Sequence, residues 1–194
     1  FRAVENLLET HPEMIGRFTF IQIAAPSRST LEDYQMFAAQ VRSLADRING
    51  RFARGGYRPV CFLAEDDGPW IVNRFYRAAD VCMVTSLHDG MNLVAKEFVA
   101  SRDDEQGVLV LSQFTGAAHE LHESLIVNPY HIEQTAEALY QALTMPDFEQ
   151  RERMRSMRAL VRDFNVDRWA GRMLLDAARI RQRERLALRI GGAG

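Results

Sequence analysis

The chain has 194 residues, 47% hydrophobic and 26% charged, which is the composition of an ordinary globular protein with room for a sizeable core. Its formal net charge of −2 gives no overall attraction to nucleic acid or to an acidic membrane surface. No apolar run approaches the ~18 residues of a transmembrane helix and no signal peptide opens the chain, so we expect a cytoplasmic protein with neither nucleic acid nor membrane as a partner.

Strand and helix signals alternate along the chain. Apolar periodicity and capping residues predict a helix over residues 3–10, a strand within 17–25 and a helix over 31–49 that ends at Asn49-Gly50. The pattern continues with a strand over 59–63, a helix over 70–78 and strands over 80–86, 108–111 and 125–127. Small residues after Phe114 predict a short helix that lies close to the sheet, and three helices follow over 131–144, 146–163 and 166–187.

These strands are apolar throughout, and almost every one is followed by a helix, which indicates a parallel sheet covered on both faces. We therefore predict the α/β class, with one doubly wound, Rossmann-like domain over residues 1–190 and a flexible tail over 191–194. The three-glycine dinucleotide fingerprint and a phosphate-loop Gly-Lys-Ser/Thr are both absent, which disfavours nicotinamide chemistry and P-loop phosphoryl transfer. Phe1 enters in the middle of a helical pattern, so we expect a piece of a longer protein.

The cysteines and histidines do not suggest a metal site. Cys61 and Cys82 each lie in an apolar, strand-like run, where small core residues are expected. His119 and His122 are three residues apart, but no further ligand stands near them. We predict neither a bound metal nor a cofactor.

Residues 87–98 are the segment with the most chemical content. They follow the third predicted strand, turn through Asp89-Gly90 and enter a helix. Such a turn places unpaired backbone N–H groups and the positive end of the helix dipole at an open sheet edge, where α/β proteins hold phosphate. The segment predicts a phosphorylated ligand, and a nucleotide is favoured.

If Asn92 caps the helix, one helical face carries five of the following residues, namely Leu93, Val94, Glu97, Phe98 and Ser101. Glu97 is thus predicted on the apolar, sheet-facing side. It either pairs with an arginine or a backbone group, or accepts hydrogen bonds from ribose hydroxyls, and the spacing does not decide between the two. Asp89, at the mouth of the crevice, would suit the far group of a sugar nucleotide, although Asp-Gly alone more often marks an ordinary turn.

Lys96 is the only lysine of the chain, since the other 23 of its 24 basic residues are arginine. It is either a point charge near the ligand phosphates or a solvated helix residue. Its position points away from Glu97, which favours the solvated interpretation.

The strings HDGMNLVAKEF, LVLSQFTGAAHEL and LIVNPY closely resemble the trehalose-6-phosphate synthases, which are retaining glycosyltransferases with two Rossmann-like domains in the GT-B architecture. The resemblance spans nearly the whole chain and matches only the C-terminal, donor-binding domain of that family. It implies that Asp89 binds hydroxyls of the transferred glucose as the catalytic residue. It also implies a donor site formed by Asp89, Gly90, Met91, the amides of Asn92 and Leu93 on the diphosphate, Val94 beside the nucleotide and Glu97 on the ribose. Arg28 matches the arginine that contacts the acceptor's phosphate.

By this resemblance the reaction transfers glucose from a nucleoside diphosphate glucose, with UDP as the expected nucleotide, to glucose 6-phosphate. An N-terminal domain of the same chain would complete the site, and a homo-oligomer is compatible with the resemblance. Two alternatives stay open: a synthase with another acceptor, such as the glycerol 3-phosphate of a glucosylglycerol-phosphate synthase, and a non-catalytic nucleotide-sugar-binding module. The loop 65–68 lacks the aromatic residue that the family often has near the base, and His88 stands where arginine is common.

Overall fold

The computed structural model describes residues 1–24, 32–63, 68–164 and 166–191. Helices and strands alternate within these residues as the sequence predicts. The strands are β1 (Phe20–Ile23), β2 (Val60–Leu63), β3 (Val81–Val84), β4 (Val108–Ser112) and β5 (Leu125–Val127). The helices are α1 (Arg2–Thr10), α2 (Glu32–Phe52), α3 (Gly68–Ala78), α4 (Leu93–Ser101), α5 (Ile132–Thr144), α6 (Asp147–Asp163) and α7 (Val166–Gly191).

All the strand ladders are parallel, but they form two groups. β1 pairs with β2, and β4 lies between β3 and β5. In the part of the chain that the structure describes, no ladder joins β1 to β3, so the single sheet that we expected is divided. The two groups still share one core, because Phe20 of β1 and Val81 and Met83 of β3 pack against the same buried cluster. A cleft of about 1030 Å³ runs between the two groups, lined by Gln22 of β1 and Met83 of β3.

The strand β4 shows that helices cover both faces of the three-stranded sheet. All five of its residues are buried, and its four apolar side chains alternate between two cores. Leu109 and Leu111 pack with Phe98 of α4 and Met154 of α6. Val108 and Val110 face the opposite way, toward Ala142 and its neighbours on α5. This two-sided burial explains why the strand sequence is apolar without alternation and confirms the predicted α/β, Rossmann-like class.

The helix α2 is longer than predicted, because Asn49-Gly50 does not end it. Asn49 is buried inside the helix, and its side-chain amide donates to the carbonyl of Val60 at 2.9 Å and accepts from the Val60 N–H at 3.0 Å. These two hydrogen bonds satisfy both backbone polar groups of Val60, as pairing with a neighbouring strand would. Asn-Gly therefore serves a tertiary contact here, which local turn propensity cannot reveal.

Two arginines fix the position of α4. Arg102 follows α4 directly, and its guanidinium donates to three carbonyls at the end of α3, those of Tyr76, Arg77 and Ala79. Arg158 of α6 donates to two carbonyls near the end of α4, those of Val99 and Ala100. The last carbonyls of a helix have no partner within it, and the two arginines supply donors there, although the carbonyl of Val99 also accepts from the Arg102 N–H at 3.4 Å. α4 is thus held at its C-terminal end by arginines from two directions. This fixes the position of its N-terminal end.

Cys61 and Cys82 are free thiols, and burial raises the pKa of Cys82 to about 12. Among the described residues, no group of three or more His, Cys, Asp or Glu side chains is arranged to hold a metal ion. None of the helices in that part of the chain is both long and apolar enough to cross a membrane. Residues 192–194 of the predicted tail lie outside the described residues, and Gly191 is the last residue of α7.

Candidate functional site

The segment between β3 and α4 lies at the carboxyl edge of the three-stranded sheet, as the sequence predicts. Its apolar side chains do not turn inward. Four apolar side chains, two in this segment and two in the first turn of α4, are exposed at this edge: Leu87, Met91, Leu93 and Val94. A run of exposed apolar side chains beside a helix N-terminus is the kind of surface that a ligand, rather than the core, would cover.

The turn from Asp89 to Asn92, hereafter the 89–92 turn, is organised by the Asp89 carboxylate. One carboxylate oxygen accepts from the backbone N–H of Met91 at 3.3 Å and of Asn92 at 3.0 Å, and the other accepts from the side-chain amide of Asn92 at 2.9 Å. Asn92 is buried and has a φ of 62°, a left-handed conformation that asparagine adopts more readily than most residues. Asp89-Gly90 is therefore a structured turn whichever ligand it meets.

Asn92 is the N-cap of α4, as predicted, and its side-chain oxygen accepts from the N–H of Ala95 at 2.9 Å. The Asn92 N–H that we expected on a diphosphate is bonded to Asp89. Within the described residues, no acceptor is bonded to the N–H groups of Leu93 or Val94, the first two of the helix. The donors open to an anion at this helix start are accordingly Leu93 and Val94.

Glu97 does not face the sheet, and this prediction was wrong. Phe98 and Ser101 are buried as expected, whereas Leu93, Val94 and Glu97 are exposed. The buried stripe of α4 runs through Ala95, Phe98 and Val99. Because apolar residues occupy nearly the whole circumference of α4, the periodicity cannot select the inward face. Glu97 instead joins the exposed apolar pair Leu93 and Val94 on the open side of the helix.

The partner of Glu97 is Tyr76 of α3, whose hydroxyl lies 3.4 Å from a Glu97 carboxylate oxygen. Burial raises the pKa of Tyr76, and the neighbouring Glu97 charge raises it further. The phenol therefore stays protonated and acts as a donor. Among the described residues, neither an arginine nor a backbone group forms a hydrogen bond with Glu97. One of its carboxylate oxygens therefore remains available to a ligand, and the oxygen that Tyr76 contacts still has a second lone pair. Tyr76 was not singled out from the sequence, because nothing local links it to residue 97.

Lys96 is not a solvated residue, and that interpretation was wrong too. Its ammonium lies 3.0 and 2.8 Å from the two carboxylate oxygens of Glu120, and its side chain is only 21% exposed. Glu120 directly follows the 3-10 turn Gly116–His119 after β4. The small residues of that turn do reach the core at Ala117, but Gly116 contacts the 89–92 turn rather than the sheet.

Arg28, predicted to bind the acceptor phosphate, lies outside the described residues, and so do residues 64–67 of the loop that we expected near a base. His88 is exposed beside the 89–92 turn. The structure therefore brings together the predicted donor-site residues from Asp89 to Glu97 and adds Tyr76 and Gly116 to them.

The chain matches known proteins over most of its length. The family model described as glycosyltransferase family 20 matches residues 1–179. A trehalose-6-phosphate synthase of Klebsiella pneumoniae is 43% identical over 184 residues, which cover 94% of this chain and 39% of that protein. An alpha,alpha-trehalose-phosphate synthase [UDP-forming] of Pichia angusta is 39% identical over 178 residues, covering 92% of this chain and 38% of that protein.

Solved structures agree with this match. An alpha,alpha-trehalose-phosphate synthase (UDP-forming) of Burkholderia xenovorans in complex with glucose-6-phosphate superimposes with a TM-score of 0.87 at 43% identity, over 90% of this chain and 39% of that one. The E. coli structure bound with UDP-2-fluoro glucose gives a TM-score of 0.87 at 41% identity, again over 90% of this chain and 39% of that one. The chain thus spans about two fifths of the length of the relatives that it matches. It belongs to glycosyltransferase family 20.

Proposed function

We propose that this chain is the donor-binding part of a retaining glucosyltransferase of the alpha,alpha-trehalose-phosphate synthase type. It binds a nucleoside diphosphate glucose, with UDP as the expected nucleotide, and residues 1–190 form that binding domain. Together with an N-terminal domain of the GT-B architecture it transfers glucose to glucose 6-phosphate. Family membership and the activities for which the relatives are named support this proposal. Those names favour glucose 6-phosphate as the acceptor, and none of them favours glycerol 3-phosphate or a non-catalytic module.

The observation that carries the proposal is the start of α4. Two N–H groups at this helix N-terminus, those of Leu93 and Val94, have no bonded acceptor among the described residues, and the carboxylates of Asp89 and Glu97 flank them in the chain. The N–H groups and the helix dipole suit a diphosphate, and they stabilise it most when it leaves with additional negative charge. A nucleotide sugar with its diphosphate at this point has its ribose at Glu97 and its glucose at Asp89.

The residues around the start of α4 each have a chemical role in the proposal. Glu97 accepts hydrogen bonds from ribose hydroxyls, while Tyr76 holds the carboxylate from the opposite side. The exposed Leu93 and Val94 side chains supply apolar contact beside the nucleotide. Asp89 and the backbone of Gly90 and Met91 orient the glucose. Arg28 is the proposed contact for the acceptor's phosphate, because a guanidinium gives a bidentate contact to phosphate oxygens.

The proposed step exchanges one bond at the anomeric carbon for another on the same face of the sugar. The bond from C1 to the β-phosphate oxygen breaks, and the bond from C1 to the acceptor hydroxyl oxygen forms. The proton of that hydroxyl passes to the departing phosphate oxygen, so no protein side chain has to act as nucleophile or base. The work of the protein is to hold donor and acceptor together and to stabilise the phosphate charge, which positioning and preorganised donors do effectively.

An assay of glucosyl transfer tests this proposal. A protein of the relatives' length that carries these 194 residues is expected to convert UDP-glucose and glucose 6-phosphate to trehalose 6-phosphate, with retention at the anomeric carbon seen by NMR. The 194-residue chain alone is expected to bind nucleoside diphosphate weakly and to transfer nothing. A long protein that binds UDP-glucose yet forms no trehalose 6-phosphate would contradict the proposal, and so would one that prefers glycerol 3-phosphate.

A further inference from the structure

The 89–92 turn rests backbone against backbone on the turn that follows β4. The N–H of Asp89 donates to the carbonyl of Phe114 at 3.2 Å, and the N–H of Gly116 donates to the carbonyl of Asp89 at 3.1 Å. A Cβ atom built on Gly116 would lie 2.1 Å from the carbonyl oxygen of Gly90. The two turns therefore touch at a point where no side chain intervenes.

A second contact, an ion pair, joins the segment after β4 to α4. Lys96, in α4, holds both carboxylate oxygens of Glu120 at 3.0 and 2.8 Å. Glu120 stands four residues after Gly116, on the far side of the 3-10 turn Gly116–His119. The segment 116–120 is thus fastened to the 89–92 turn by Gly116 and to α4 by Glu120.

On the premise of the proposed function, we infer that Lys96 and Glu120 are positioning residues for the donor site. The ion pair holds the 116–120 segment against α4, so that Gly116 supports Gly90 and fixes how the 89–92 turn leads into the helix. The connection between the 89–92 turn and α4 in turn sets the direction of the Leu93 and Val94 N–H groups. Lys96 acts through Glu120 and does not contact the diphosphate.

A double-mutant cycle separates this role from a direct contact with phosphate. If Lys96 positions the site through Glu120, then Lys96→Gln and Glu120→Gln each weaken UDP binding by about fivefold, and the double variant is no weaker than either single one. If Lys96 contacts phosphate, Glu120→Gln frees the ammonium and strengthens binding, which would overturn the inference. The charge-reversed pair Lys96→Glu with Glu120→Lys should recover most of the lost affinity.

Arg155→Gln is the matched control for the cycle. It removes an ion pair of the same N–O distance, 2.8 Å, between Arg155 of α6 and Glu105, which lies before β4 at the opposite edge of the sheet. This variant should bind UDP as the unchanged chain does. A loss of affinity in Arg155→Gln equal to that in Lys96→Gln would attribute the effect to charge in general and overturn the inference.

Hydrogen–deuterium exchange gives a readout that needs no ligand. Lys96→Gln should speed amide exchange in peptides covering 89–93 and 114–120, while peptides of α1 and α5 keep their protection and report an intact fold. Unchanged exchange in 89–93 would refute the positioning role. Should the unchanged chain bind no nucleoside diphosphate, the proposed function fails, and exchange alone still decides whether Lys96 and Glu120 hold the turn.

Discussion

Replacing Gly116 with alanine is expected to abolish detectable nucleoside diphosphate binding and to lower the free energy of unfolding by about 1–3 kcal/mol. The added Cβ would lie 2.1 Å from the carbonyl oxygen of Gly90, 3.0 Å from its carbonyl carbon and 3.3 Å from the Cα of Met91. All three atoms belong to the backbone, so no side chain can rotate away to make room. Either the 89–92 turn or the segment that begins at Gly116 must move, and both changes remove the support of the turn that leads into α4 and its proposed phosphate donors.

Gly50→Ala provides the matched control, because it adds the same methyl group where nothing lies within 4 Å. Gly50 is exposed inside α2, and alanine there is expected to stabilise the chain by roughly 0.5–1 kcal/mol and to leave binding unchanged. Urea unfolding and calorimetric titration with UDP measure both effects. A Gly116→Ala chain that binds UDP with unchanged affinity would show that the contact with Gly90 does not support the site.

The second large effect is expected from Asp89→Ala, which should weaken the binding of UDP by about tenfold or more and that of UDP-glucose further still. The carboxylate accepts three hydrogen bonds, from the Met91 N–H, the Asn92 N–H and the Asn92 side-chain amide. Hydrogen bonds to a charged group contribute about 1.5–3 kcal/mol each. Their loss should therefore disrupt the conformation of the 89–92 turn even when no sugar is bound. Asp89 is thereby predicted to serve both the shape of the site and the glucose.

Comparing the two ligands distinguishes these roles of Asp89. UDP lacks the sugar, so an Asp89 that acted only on glucose hydroxyls would leave UDP affinity unchanged and lower that of UDP-glucose alone. Calorimetric titration of both ligands measures the difference. Asp103→Ala, at the opposite end of α4, removes an exposed aspartate that pairs with Arg77 at 3.0 Å and should change neither affinity.

The sequence predicts the class and the order of elements well because continuous apolar runs record two-sided burial directly. β4 is the clearest case: its four apolar residues, Val108 to Leu111, alternate between two different cores, which is why no polar residue separates them. The division of the sheet between β1 and β3 was not predictable in this way. Which strands pair is decided by contacts between segments distant in the chain, and local periodicity carries no information about them.

For the candidate site too, local features were predicted correctly and contacts between distant residues were not. The N-cap role of Asn92 follows from local chemistry and is confirmed. The errors at Glu97 and Lys96 concern which way a side chain points and what it meets. Glu97 finds Tyr76, 21 residues before it, and Lys96 finds Glu120, 24 residues after it. A helix with apolar residues on nearly every side gives no face preference that could have predicted either partner.

Gly116 illustrates what a glycine in a motif can mean. Its sequence neighbours suggested a helix lying close to the sheet, whereas the close approach is to the backbone of Gly90. The signal was present in that both glycines belong to the strings that carry the family resemblance. Their contact joins the ends of two parallel neighbours, β3 and β4, where turns at the same sheet edge necessarily meet.

Calorimetric titration of the 194-residue chain with UDP, ADP and GDP, repeated with Glu97→Ala, tests the central claim that α4 begins a nucleoside diphosphate site. We predict weak binding with one site per chain and UDP preferred. Glu97→Ala should reduce the affinity strongly, while Glu105→Ala, which removes a carboxylate at the opposite edge of the sheet, should not. Binding of none of the three nucleotides, or UDP affinity unaltered by Glu97→Ala, would contradict the assignment.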